Sequence, residues 1–160
     1  MRALRTPALN HYTAVPSTPS SGLIGSMRTR LNLVHKTVGI ITVLVFVGTG
    51  ILLRFHFSLI YETNHLVRMM FRSIHIYILL AGLLNIAIGS YLIVSLGTRK
   101  RNAQWFGSIC LLVAPAILVA AFFYEPVLET LDRHLTQVGV ILLLVGTLSH
   151  LLGASRARPA

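Results

Sequence analysis

The chain has 160 residues, of which 54% are hydrophobic and 11% charged, with 14 Lys plus Arg against 4 Asp plus Glu. So few charges cannot cover the surface of a soluble domain, where about a quarter of residues are charged. The basic excess does not describe a nucleic-acid binder either, because the basic residues sit at the ends of apolar runs and form no stripe along one face.

Residues 1–26 combine Pro7, Pro16 and Pro19 with a Ser/Thr cluster and carry no acid. They lack hydrophobic periodicity and are expected to form a disordered tail. Arg2 and Arg5 without an acid have the composition of an organellar transit peptide, but a flexible tail or a later start at Met27 explains them as well. The apolar run that follows is too long for the core of a cleavable secretory signal.

Four uncharged apolar runs follow, and they define a membrane domain over residues 27–155. The spans are expected at about 33–53, 73–97, 104–124 and 134–154. Each holds the roughly 20 residues that a helix needs to cross the hydrocarbon core. None alternates with period two, so helices are expected and barrel strands are not. The fold class expected is all-α: an integral membrane four-helix up-down bundle, with residues 156–160 as a short basic tail.

The connections differ in character. Arg99, Lys100 and Arg101 read as a tight turn between the second and third helices. Residues 54–72 mix Phe55, Tyr61 and Phe71 with polar groups and read as an interfacial link. Basic residues set the orientation. Arg28, Arg30, Lys36, Arg99, Lys100, Arg101, Arg156 and Arg158 fall on one side; Arg54, Arg68, Arg72 and Arg133 fall on the other. Eight against four places both termini in the cytoplasm, and a bacterial inner membrane is the expected location.

Small residues at helical spacing mark faces where membrane helices approach closely. The first helix carries His35, Gly39, Thr42, Phe46 and Thr49 on one stripe. The second carries His75, Gly82, Asn85 and Gly89. The third carries Gly107, Ala114 and Ala121, with Pro115 expected to kink it. The fourth carries Gly139, Gly146 and Gly153, with His150 between the last two. Asn85 is the amide nearest mid-membrane and is expected to bond between helices.

No acid or base lies deep in a span, which argues against a proton- or cation-coupled transporter. The chain has no nucleophile elbow, no His-Glu-x-x-His zinc motif and no Cys-x-x-Cys-His haem-attachment motif; its single cysteine is Cys110. A stand-alone enzyme is not expected. A neutral-solute transporter is disfavoured by the shortness of the bundle, and nothing specifies a quinone site.

The histidines carry the remaining chemistry. Neutral imidazoles on a bundle interior can ligate haem iron from two helices. His35 and His150 lie at similar depth on small-residue stripes, on helices expected to be neighbours, and form the first candidate pair. His75 and His134 form a second. His134 and His150 are sixteen residues apart, about 160° around the helix, and so cannot both face one axis.

The run His35-Lys36-Thr37-Val38-Gly39 resembles the His-Lys/Arg-x-x-Gly start of di-haem cytochrome b561-like proteins and of succinate-dehydrogenase anchors. Arg72 to Asn85, with His75 and Gly82 inside it, resembles a segment of small four-span bacterial inner-membrane proteins. The first resemblance implies haem b; the second implies the topology and no activity. Two functional readings follow. One is a small accessory, assembly or structural component of a membrane complex, with the lipid bilayer and other membrane subunits as partners. The alternative is a haem-b-binding electron-transfer or anchor subunit with bis-histidine ligation.

Overall fold

The computed structural model describes residues 20–55, 64–91, 97–128 and 132–154. Helix α1 spans Ser20–Phe55, α2 His65–Tyr91, α3 Thr98–Tyr124 and α4 His134–Ala154, with a 3-10 turn at Pro126–Leu128 between the last two. All four contain a stretch long and apolar enough to cross a membrane. The protein is a multi-pass helical membrane protein. A helix answers every backbone polar group within its own segment, as hydrocarbon requires.

Three boundaries differ from the sequence expectation. α1 begins at Ser20, inside the stretch expected to be disordered; residues 1–19 lie outside the described residues. Once a long apolar span has nucleated a helix, extending it by a few turns costs little. α2 begins at His65, eight residues before the expected span. Asn64 caps it, its Oδ1 accepting from the backbone N–H groups of Leu66 and Val67 at 3.1 and 3.3 Å. Arg68 and Arg72 interrupt the apolar run in sequence, yet Val67 before the first and Met70 and Phe71 between the two are buried. Arg99, Lys100 and Arg101 lie in the first turn of α3, not in a loop, behind Gly97 as its N-cap. Most of the interfacial link, residues 56–63, lies outside the described residues, as does the basic tail.

The helices form two tight hairpins joined at a seam. α1 packs on α2 and α3 packs on α4, while α2 and α3 meet along the middle. Among the described residues no Cα of α1 comes within 8 Å of one of α4. The two are therefore not the neighbours that a square up-down bundle would make them; α2 and α3 stand between. The apolar core follows that seam: Ile74, Ile78 and Ala81 of α2 meet Leu111, Ala114, Leu118, Ala121 and Phe122 of α3, with Leu143 of α4 alongside. Pro115 is buried in an unbroken α3.

Glycine sets the closeness of each hairpin. A Cβ on Gly39 would lie 2.8 Å from the Gly82 carbonyl oxygen and 2.6 Å from Ile86. One on Gly89 would lie 2.7 Å from the Asn32 carbonyl oxygen. In the second hairpin, Gly107 would meet the Gly146 carbonyl oxygen at 2.8 Å, and Gly139 would meet Leu118 at 2.7 Å. Gly153 is pressed against Gln104 and the Lys100 carbonyl. Backbone that has come this near gains dispersion contact that no larger residue permits.

Gly48 faces open space, which gives an internal control. Gly39→Ala and Gly146→Ala are expected to lower the unfolding midpoint in a detergent denaturation series. Gly48→Ala should be neutral or stabilising by about 0.5–1 kcal/mol, the usual gain in helix propensity. Equal effects at all three positions would mean that glycine contact does not set the packing.

Candidate functional site

α1, α2, α3 and α4 each send one polar side chain toward a common point near one end of the bundle: His35, Asn85, Ser108 and His150. His35 and Asn85 are fully buried, Ser108 is 1% exposed and His150 4%. The His35 and His150 rings, 115 positions apart in sequence, have centroids 6.0 Å apart and planes inclined by 83°.

Asn85 fixes the state of His35. Its Nδ2 donates to the Ala81 carbonyl at 2.9 Å and to the Leu111 carbonyl at 2.8 Å. Carbonyl oxygens only accept, so the amide orientation is set and Oδ1 must face His35. Oδ1 lies 2.8 Å from His35 Nδ1 and can only accept, so Nδ1 carries a proton. In the neutral ring the lone pair is then on Nε2. That atom is buried and has no hydrogen-bond partner.

His150 is held in the same manner by a more permissive neighbour. Its Nε2 lies 3.1 Å from Ser108 Oγ, and its Nδ1 is buried without a partner. A hydroxyl both donates and accepts, so Ser108 tolerates either tautomer. Each imidazole thus has one nitrogen anchored to a central helix and the other open. Leaving a buried polar atom unpaired costs about 1–3 kcal/mol, which marks both open nitrogens as unusual.

His75 stands apart from this group. Its Nδ1 lies 3.0 Å from Thr49 Oγ1, which itself donates to the Phe46 carbonyl at 2.9 Å. The ring stacks on Phe46 at 4.0 Å and lies 6.5 Å from Phe122. His134, its candidate partner, is exposed at the first residue of α4. No hydrogen bond or ring contact joins the two. The packing residues Gly39, Gly82, Gly89, Ala114, Gly139, Gly146 and Gly153 are all buried between helices.

Sequence reasoning did not single out Ser108, which neighbours Gly107 on the stripe of α3. It also passed over Glu125 and Thr136. Glu125 is 3% exposed and accepts from the Thr136 backbone N–H at 2.9 Å and from the Thr136 hydroxyl. The carboxylate satisfies the first turn of α4 and closes the α3–α4 connection.

These features define a class: an α-helical multi-pass membrane protein with a sealed bis-imidazole centre between its two hairpins. No family model, curated protein or solved structure matches the chain.

Asn85 makes contacts with α1 and α3 as well as its own helix, so its loss should be felt by the whole bundle. Asn85→Leu is expected to destabilise the protein by about 1–2 kcal/mol, the upper range for a polar contact in a membrane bundle. Subunit-intact unfolding in mixed micelles measures this. An unchanged midpoint would show that the amide is dispensable to the seam.

Proposed function

We propose that the protein is a membrane subunit that holds haem b between His35 and His150, serving electron transfer or anchoring in a larger assembly. The observation that carries this reading is the paired, buried and unpartnered nitrogens at His35 Nε2 and His150 Nδ1. For both imidazoles to hold one group their rings must lie close together. The observed separation is 6.0 Å.

The donor count favours haem over a bare ion. Among the described residues no group of three or more His, Cys, Asp or Glu could hold a metal. Structural zinc takes four protein donors and catalytic zinc three. A haem would ask for fewer protein donors, and His35 and His150 are the residues that would hold it. The hydrogen bond from His35 Nδ1–H to Asn85 is the outer-sphere contact that orients a ligating imidazole and raises its basicity. Bound haem would supply one-electron chemistry. The chain's own residues hold it, fix the ligand tautomer and keep water from the iron.

Optical spectra of the purified full-length protein, oxidised and dithionite-reduced, test the assignment. One low-spin haem per chain is expected, lost in His35→Ala and in His150→Ala and kept in His134→Ala. A featureless spectrum from haem-replete cells, or a spectrum that survives both substitutions, would overturn it. The protein would then be read as an accessory or assembly component of a membrane complex, the role its glycine-packed hairpins also suit.

We further infer a bacterial inner-membrane location with both termini cytoplasmic, supported by the eight-to-four bias of basic residues between the two sides. A reporter fused after Ala160 is expected to read cytoplasmic. Activity from a reporter that functions only outside the cytoplasm would reverse the topology.

A further inference from the structure

At the end of the bundle where α4 begins, a cavity of about 370 Å³ is lined by Tyr77 of α2 and by Arg133, Thr136, Gln137, Val140 and Ile141. Its size falls at the lower end of small-ligand sites, which run to about 300–1,000 Å³. None of its residues belongs to the histidine pair.

The polar groups in it are not balanced among themselves. Arg133 Nη2 donates to Ser73 Oγ at 2.7 Å. Its Nε is buried and has no partner. Among the described residues the guanidinium pairs with no carboxylate. Glu125, the buried acid closest in the fold, is committed to both donors of Thr136. A half-buried guanidinium with an unpartnered donor and no carboxylate on it among the described residues is costly unless another acceptor is supplied.

We propose that this cavity binds a phosphate group carried by a membrane phospholipid, with the head on Arg133, Gln137 and Tyr77 and one acyl chain along Val140 and Ile141. The chemistry of the head follows from the guanidinium, whose planar fork matches phosphate oxygens and forms strong charge-assisted bonds with them. The depth follows from the helix. Arg133 directly precedes the α4 span His134–Ala154, which puts it at headgroup level. Val140 and Ile141 lie seven and eight residues further, about 10–12 Å deeper, where acyl chains begin. Tyr77, with an apolar ring and a polar tip, suits the boundary between the two. Free phosphate satisfies the same head contacts but leaves the apolar wall uncovered.

The test uses full-length protein purified in neutral detergent and stripped of lipid, with native mass spectrometry as the readout. Phosphatidylglycerol, diacylglycerol with the same chains, and inorganic phosphate are titrated separately. One saturable phosphatidylglycerol adduct is expected, with no comparable diacylglycerol adduct. Arg133→Gln should weaken the adduct about tenfold or more, the scale of one charge-assisted hydrogen bond. Inorganic phosphate that displaces the lipid supports the head assignment. Inorganic phosphate that binds as tightly as the lipid assigns the site to the free anion and keeps the phosphate chemistry. Diacylglycerol or a neutral prenyl quinone binding as well as phosphatidylglycerol would overturn the proposal. So would an Arg133→Gln protein that binds like the wild type. Gln137→Leu provides the same comparison if Arg133→Gln does not yield monodisperse protein.

Discussion

A polar group in hydrocarbon must find its partner inside the protein, and in this bundle Asn85 is where that constraint concentrates. It donates twice, to its own helix and to α3, and accepts once from α1. All three elements are thereby held in one register at one depth. Along the α2–α3 seam the other buried side chains are mostly apolar, so sliding those two helices past each other would cost mainly packing. At Asn85 it would also strand an amide and an imidazole. Such contacts are modest in energy because the unfolded chain in a membrane also finds partners. Their value here lies in position, since the amide fixes which nitrogen of His35 is free.

The hairpins and the seam divide the work. Glycine lets α1 lie against α2 and α3 against α4 with backbone nearly touching. The seam between α2 and α3 carries larger side chains, Ile74, Ile78, Leu111, Leu118 and Phe122. The outer helices α1 and α4 are thus held by their hairpin partners and not by each other. His35 and His150 reach inward from those outer helices and meet across the seam, each braced by a residue of a central one. The two outer helices are therefore separated while their histidines converge.

Much of this was legible in the sequence, for reasons that differ by residue. The four spans were visible because hydrocarbon demands long uncharged runs. The inward faces were visible because small residues recur at seven in α4 and His35, Gly39 and Thr42 share a stripe in α1. The start of α2 was not, because Arg68 and Arg72 broke the run, although long cationic side chains at an interface keep their heads in water while their helix continues. Arg99, Lys100 and Arg101 read as a turn because three adjacent charges interrupt two apolar runs, yet a helix can begin on charged residues at an interface, where their heads stay in water. The separation of α1 from α4 could not be read at all. Periodicity gives the face of each helix but not the order in which faces meet. Ser108 was invisible because a lone serine beside a glycine looks like one more small packing residue.

The placement of the histidine pair limits what a cofactor there could do. His150 lies sixteen residues along α4 from His134, about 24 Å of helix rise, so the pair sits near one face of the membrane. His75 is ten residues from Asn85 on α2, about 15 Å away along the axis. Its Nδ1 and ring are engaged by Thr49 and Phe46, and no second imidazole opposes it among the described residues. A single redox group so placed would exchange electrons at that surface and would not by itself carry them across the bilayer. A transmembrane path would need a second ligand opposite His75, and the exposed position of His134 does not provide one. If the pair holds haem as proposed, its placement at one depth argues against a self-contained transmembrane conduit.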